Sequence, residues 1–212
     1  KRKQPKLKVG HGGTLDAEAE GVLVIGVGGA TKQLSQFLAC DKSYEFDVEL
    51  GRRTTTLDVD GEVEAEAPFE HVTADMLQAA LNEFVGDIMQ IPPRYSALRI
   101  DGKRLSDHAR SGTPVDPQPR PVRVLAAQLQ AYVAPVATIA VTCGGGFYVR
   151  SLARDLAWKV QSEGHVTRLV RTRQGRFDLS AALPEDAWTP AQLEAALAAN
   201  NKREEQHLRV NG

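Results

Sequence analysis

Residues 44–50 constrain the fold more than any other stretch. Tyr44, Phe46, Val48 and Leu50 alternate with Glu45, Asp47 and Glu49. That period of two gives a strand one apolar face and one charged face, so it is half buried. Helical stripes elsewhere can cover such a face. Leu77, Ala80, Leu81 and Phe84 recur at helical spacing behind Thr73, a good N-cap, and Gly86 ends that segment. Val149, Leu152, Ala153, Leu156 and Val160 form a second stripe, with Arg150 and Arg154 on another face. Strand and helix patterns are interspersed, which predicts an α+β fold.

The rest of the chain follows the same logic. Residues 22–28 read as a short buried strand and Thr31 to Cys40 as a helix with Leu34, Phe37 and Leu38 on one face. Residues 51–56 read as a loop, Asp60-Gly61 as a hairpin turn, and the acid-rich residues 63–67 as an edge strand facing water. Ile91-Pro92-Pro93 must be extended. Residues 101–121 are polar and Pro-rich, with a short helix over 104–110. Residues 122–133 and 136–143 read as strands paired across Ala134-Pro135, and Gly144-Gly145-Gly146 as the opening of a helix. Residues 166–170 and 175–179 are strand-like. Thr189-Pro-Ala-Gln192 is a capping box for a last helix. No repeat or linker stands out, so residues 1–190 are expected to form one domain, followed by a C-terminal helix and charged tail over 191–212.

Composition narrows the class. The chain has 212 residues, 42% of them hydrophobic, with a net charge of −1, enough for one sizeable core. No apolar run is long enough to span a bilayer, and Lys1-Arg-Lys-Gln-Pro5 has no apolar segment behind it. Cys40 and Cys143 stand alone and far apart, which argues against a disulfide framework or a zinc site and for a reducing compartment. Charge is segregated. Residues 148–176 carry Arg150, Arg154, Lys159, Arg168, Arg171, Arg173 and Arg176 against Asp155 and Glu163. Asp58, Asp60, Glu62, Glu64, Glu66 and Glu70 crowd residues 58–70. That suits one nucleic-acid face and one solvated face, although ordinary surface charge gives the same pattern.

The stretch with most chemical content is Lys8-Val-Gly-His-Gly-Gly-Thr-Leu-Asp16. Gly10, Gly12 and Gly13 lack a Cβ, so backbone or ligand can come close. Asp16 beside such a loop is placed for catalysis, or it caps a turn as loop aspartates commonly do. Tyr44 is a stacking surface for a base or a core tyrosine. Arg150 is the partner of a carboxylate or the cap of a surface helix. His11 meets a ligand or bonds to backbone. Gly144-Gly145-Gly146 seats a phosphate or serves close packing. Lys8, Lys42, Arg154, Arg171 and Arg173 are candidate phosphate contacts or solvated charges.

These motifs together resemble the TruB family of tRNA pseudouridine synthases. The likeness rests on Gly10-His-Gly-Gly-Thr-Leu-Asp16 with Gly21-Val-Leu23, and on Asp41-Lys-Ser-Tyr44. It continues in Ile91-Pro-Pro-Arg-Tyr-Ser-Ala97, Cys143-Gly-Gly-Gly-Phe-Tyr-Val-Arg150 and Arg171-Thr-Arg-Gln-Gly175. It runs from about residue 8 to about residue 190, and Gly-Gly after His11 is more like the eukaryotic branch. The resemblance implies a pseudouridine synthase core: a mixed, mostly antiparallel sheet flanked by helices, with the cleft across its middle. It implies that Asp16 is the essential aspartate, that Arg150 pairs with it, and that Tyr44 stacks on the flipped uridine. His11, Gly12, Gly13, Lys42, Tyr148 and Leu169 would contact or line the substrate. No metal or other cofactor is implied, because the reaction oxidises nothing and imports no group.

The implied activity is conversion of uridine to pseudouridine in the T-loop of tRNA, with T-loop-like sites in other structured RNA also open to it. The protein would be a monomer without a membrane partner, located in the nucleus, the cytoplasm or the mitochondrion. Three departures from the family pattern shape the expectations. The N-terminal family strand and its Lys-Pro-x-Gly motif are expected to be missing. Ala17 replaces a common proline. With only a charged tail after the last helix, the grip on RNA is expected to come from the core. Two rivals from other classes are a non-catalytic RNA-binding or chaperone domain on this scaffold and a hydrolase using Asp16 with Asp155.

Overall fold

The computed structural model describes residues 7–113, 115–184 and 188–199. Lys1, Arg2, Lys3, Lys6 and the tail from Asn201 lie outside the described residues. The chain divides into two compact units between Leu179 and Ser180.

The first unit begins with β1 (Val9–His11), β2 (Ala19–Gly21) and β3 (Ile25–Val27), then a 3₁₀ turn over Gly28–Gln33 and α1 (Leu34–Ala39). β4 (Lys42–Leu50) leads into β5 (Arg52–Thr54), β6 (Val63–Glu66), α2 (Ala74–Glu83) and β7 (Gly86–Gln90). β8 (Arg99–Ile100), β9 (Lys103–Arg104) and α3 (Leu105–Arg110) form a small excursion. β10 (Arg120–Val133), β11 (Val136–Cys143), α4 (Val149–Lys159), β12 (Gly164–Gln174) and β13 (Phe177–Asp178) complete the unit. The second unit contains a helix over 190–199. One half of the expected capping box is present, Gln192 N–H donating to Thr189 Oγ1 at 3.4 Å, while Gln192 Oε1 accepts from that hydroxyl at 2.6 Å.

The main sheet runs β13-β12-β4-β11-β10-β7, with β2 on β12. Every pairing in it is antiparallel except β2 on β12, which is parallel. The sheet is therefore mixed and mostly antiparallel. The alternation in β4 settles its facing: Phe46, Val48 and Leu50 are buried while Glu45, Asp47 and Glu49 are not. β11 repeats the pattern with Ala137, Ile139, Val141 and Cys143. Those rows form one core cluster with Leu77, Ala80 and Leu81 of α2 and Leu152, Ala153 and Leu156 of α4. Each fully buried Leu or Phe side chain contributes about 1.5–3 kcal/mol of transfer free energy. On the other face Arg168 pairs with Glu45 and, at 2.8 Å, with Asp47, neutralising the charged rows of β4.

Several local expectations are corrected. Residues 22–28 are not one buried strand. Val22 is buried, but β3 is a three-residue ribbon on β1, and Ile25 is exposed because only one face of that ribbon is covered, by Leu34 against Gly26. The helix expected from Thr31 begins as a 3₁₀ turn, and Leu38 is exposed rather than on a buried face. Residues 52–54 are a strand rather than a loop, paired with the exposed acidic strand β6. Gly144-Gly145-Gly146 do not open α4, which starts at Val149. Gly146 has φ +81°, a helix-breaking conformation, and a Cβ on Gly145 would stand 2.7 Å from Leu38 O. Close packing on the end of α1, not a phosphate, accounts for glycine at 145.

Gly21 shows how tightly the first strands are sewn to the sheet. Its φ is +99°, and a Cβ there would lie 2.3 Å from the Arg171 carbonyl oxygen. Gly21→Ala is expected to lower unfolding stability by about 2–3 kcal/mol, measured as a lower urea midpoint at unchanged slope. Gly29→Ala, at a position with open space around it, is the control and should shift the midpoint little.

Candidate active site

Asp16 sits in the loop between β1 and β2, and that loop is held from the sheet side. Arg171 of β12 is 1% exposed, and its guanidinium donates to Val22 O at 2.7 Å, Thr14 O at 3.2 Å and Gly13 O at 3.4 Å. Gln174, three residues further on and past a bulge in β12, donates to Gly12 O at 2.8 Å and Phe37 O at 3.0 Å. A hydrogen bond from a charged donor is worth about 1.5–3 kcal/mol, so Arg171 stiffens the loop even though it carries its charge into the interior. Beyond these anchors the chain turns, with Ala19 N–H donating to Asp16 O at 3.0 Å.

Arg150 meets that turn from the first turn of α4. Its Nε donates to Asp16 Oδ2 at 2.7 Å and its Nη2 to Asp16 Oδ1 at 2.8 Å, a bidentate pair. The remaining donors reach Thr56 O at 2.8 Å, Asp58 Oδ2 at 3.1 Å and Tyr95 O at 3.0 Å. A positive charge in the first turn of a helix is unfavourable to the helix dipole, and two carboxylates offset it. Side-chain exposure is 6% for Arg150, 17% for Asp58 and 40% for Asp16. The one group of the three that faces solvent is the Asp16 carboxylate.

A narrow cleft opens there, lined among others by Asp16, Ala19, Asp58, Val59, Arg150 and Leu169. Leu169 is buried in the core behind it. Tyr44 stands near the start of β4, half buried, in register with Val141 and Arg171. Burial, with Cys143 and the Asp16 charge acting in the same direction, pushes its phenol up to about 12 against the opposing pull of Arg171. The ring therefore presents a neutral aromatic face near an acid. The chemistry this arrangement offers is a fixed, partly solvated carboxylate beside an apolar wall; Tyr44 feels the Asp16 charge but is not among the residues lining the cleft.

Other expected contacts lie elsewhere. His11 is exposed on β1 opposite Ile25. Tyr148 is half buried and is the N-cap of α4. Gly12 and Gly13 are buried rather than open to a ligand. A Cβ on Gly12 would stand 2.8 Å from Phe37, and Gly13, at φ +147°, abuts Gln174. Lys42 is also buried. Its ammonium donates to Leu38 O at 3.0 Å and Cys40 O at 2.8 Å, so it ties down the end of α1 rather than reaching a phosphate, and burial lowers its pKa. Arg171 and Arg154 are likewise spent inside the protein. Arg154 donates to Asp155 at 2.8 Å and Ile91 O at 3.3 Å and lies over the Trp158 ring. Arg173 donates to Ser43 Oγ and Gly175 O, while Lys8 is exposed.

Asp155 is not among the residues lining the cleft; the other acids there are Glu18 and Asp58, and only Asp58 shares the Arg150 guanidinium with Asp16. Sequence reasoning passed Asp58 over because it opens an acid-rich run that reads as solvated. What singles it out is backbone: Leu57 has φ 64°, Thr54 Oγ1 donates to Asp58 O at 2.6 Å, and Asp58 bridges to Val166. Among the described residues no group of three His, Cys, Asp or Glu side chains could hold a metal ion, and no helix is long and apolar enough to cross a membrane.

Comparison with known proteins adds a family. The model for "TruB family pseudouridylate synthase (N terminal domain)" matches residues 1–149. Human "Pseudouridylate synthase TRUB1" is 48% identical over 191 residues, covering 89% of this chain and 55% of the human protein. "tRNA pseudouridine synthase B" of Bacteroides fragilis is 41% identical over 181 residues, covering 85% of this chain and 78% of that protein. A chain in the "Crystal Structure of a Cbf5-Nop10-Gar1 Complex" superposes with a TM-score of 0.63 at 25% identity, covering 85% of this chain and 44% of that one. The chain thus spans little more than half the length of its mammalian relatives.

The Tyr44 environment makes a checkable pH dependence. Below about pH 10, the ordinary tyrosine value, the phenol is protonated in both folded and unfolded chains. Between there and about 12 the unfolded chain loses a proton that the folded chain keeps, so stability falls as pH rises through that window. The buried Cys143 thiol, also pushed up to about 12 by burial, contributes in parallel. Tyr44→Phe should therefore flatten part of the alkaline loss, measured by urea unfolding across this range. An equally steep loss in both chains would remove Tyr44 from its cause.

Proposed function

The chain belongs to the TruB family of pseudouridylate synthases, and on that footing we propose that it isomerises uridine to pseudouridine in RNA, with the T-loop of tRNA as the site acted on. The observation that carries the proposal is the Asp16–Arg150 pair at 2.7 and 2.8 Å, with the carboxylate left 40% exposed at the cleft.

The reaction breaks the N1–C1′ bond, turns the uracil and joins C5 to C1′; C5 gives up its proton and N1 takes one up, so the sum is an isomerisation. No electrons are exchanged with an outside partner and no group is imported. The protein must supply a nucleophile or base, a seat for an extruded uracil and a fixed geometry between them. Asp16 is the nucleophile or base. Arg150 occupies both its oxygens from one side and so orients the carboxylate. Tyr44 offers a neutral ring for stacking, worth about 1–3 kcal/mol per base, which offsets the few kcal/mol of extruding the base. Leu169 closes the apolar side.

A stem-loop suits this site because its loop bases are unstacked and can be splayed out. Human pseudouridylate synthase TRUB1 and the tRNA pseudouridine synthase B of Bacteroides fragilis, by their names, make pseudouridine, the latter in tRNA. Their identity to this chain supports the same substrate class here.

Incubation of a T-arm stem-loop RNA with wild type and Asp16→Asn tests the reading, with pseudouridine as the readout. Conversion by wild type alone is expected. RNA binding without conversion by wild type, or release of free uracil, would overturn it. Arg150→Ala should lower the single-turnover rate by about 100-fold or more, while RNA affinity stays within about threefold, because the guanidinium acts on Asp16 and not on the phosphate backbone. Equal losses in rate and affinity would count against that role.

A further inference from the structure

Gln90 ends β7 and is 1% exposed, yet it lies outside the apolar core cluster. Its amide faces the backbone of Tyr148. Nε2 donates to Tyr148 O at 3.0 Å, and Oε1 accepts from Tyr148 N–H at 2.8 Å. An amide used at both ends imitates the exchange between two hydrogen-bonded residues of an antiparallel pair. Tyr148 is the N-cap of α4 and makes no side-chain cap of its own, and its carbonyl also accepts the first helical bond, from Leu152 N–H at 3.2 Å. The origin of α4 is therefore gripped by a side chain from another strand.

The chain after Gln90 continues the seam. Ile91 O accepts from Ser151 Oγ at 2.7 Å and from Arg154 Nη2 at 3.3 Å, and Tyr95 O accepts from Arg150 Nη2 at 3.0 Å. Pro92 and Pro93 between them are buried. These bonds hold side chains of α4. Gln90 alone among these residues holds the backbone ahead of its first turn.

From this seam we infer that Gln90 is a positioning residue for the isomerisation: it sets where α4 begins and so aligns Tyr148 and Arg150 with the Asp16 carboxylate. The inference rests on the proposed function. Arg150 follows Tyr148 by two positions, and its fork meets both Asp16 oxygens at 2.7 and 2.8 Å. Catalytic geometry of this kind tolerates about 0.5 Å of error. A shift of the helix origin by more than that is enough to take the fork off the carboxylate.

Two substitutions test this with a stem-loop RNA. Gln90→Met keeps the volume and removes both hydrogen bonds. Its single-turnover rate should fall by about 100-fold, with RNA affinity within about twofold and a single cooperative thermal transition retained. Gln90→Glu separates positioning from mere filling. Ionised, its carboxylate accepts from Tyr148 N–H but has no hydrogen for Tyr148 O; protonated, it makes both bonds. Its rate relative to wild type should rise by about fivefold or more from about pH 8 to about pH 6, since burial raises a carboxyl pKa. If the Met chain does not fold, that ratio decides. A folded Gln90→Met chain with a near wild-type rate, or a pH-independent ratio for Gln90→Glu, would overturn the inference.

Failure of wild type to convert any RNA would refute the proposed function instead. Positioning is then read from crystal structures of wild type and Gln90→Met. The guanidinium of Arg150 should move by about 1 Å or more relative to Asp16, and an unmoved pair would overturn the inference.

Discussion

The guanidinium of Arg150 is where the separate parts of this protein meet. A guanidinium has five N–H donors in a rigid fork, and the acceptors here come from three stretches of chain, the β1–β2 loop, the β5–β6 connection and the segment after β7, with α4 as the mount. A lysine could not serve, because a point charge on a flexible stem imposes no plane. The fork requires the two carboxylates and two carbonyls to lie close to one plane, which ties three loops to a helix through one side chain. Loss of that one side chain would leave the Asp58 carboxylate, little exposed, without its cation, a far costlier state than an unpaired surface charge.

Around that centre the interior holds further cations, and two of them, Arg171 and Lys42, direct hydrogen bonds to backbone carbonyls. Carbonyl dipoles solvate them in place of water. Their use is geometric: each ends a wandering stretch of backbone, Arg171 the glycine loop and Lys42 the end of α1. The rigid sheet provides the mounts, since Lys42 is on β4 and Arg171 on β12, and these strands are neighbours. Loop positions are thereby tied to the most buried part of the molecule, which is how a loop of small residues can hold a carboxylate still.

The regular parts of this design were legible from the sequence for a simple reason. β4, β11 and α2 each bury one face, and a single buried face writes a period into the residues; α4 shows its apolar stripe although the face with Arg150 and Arg154 is buried too. The β1–β3 ribbon and β5 were misread because no period survives in three residues. The Asp16 loop was legible as a motif, through resemblance, but its physics was not. Arg171, Lys42 and Arg154 looked like RNA contacts because a basic residue gives no sign in sequence of whether its head turns inward. Asp58 was hidden by its acidic neighbours Asp60, Glu62 and Glu64, since what sets it apart is a bridge to Val166 in β12 that no sequence pattern shows.

The glycine loop has the opposite sense to its first reading. Glycines beside a catalytic acid suggest a surface that lets a ligand approach, yet Gly12 and Gly13 turn their missing side chains toward Phe37 and Gln174. The close approach is between loop and protein, and it leaves Gly12 O and Gly13 O aimed at Gln174 and Arg171. A loop pressed down at those residues must rise where it is released, and the side chain left at the cleft is Asp16. Small residues on one side of the loop and a charged residue at its crest are thus two consequences of one arrangement. It follows that replacing a loop glycine would act on the cleft through the placement of Asp16.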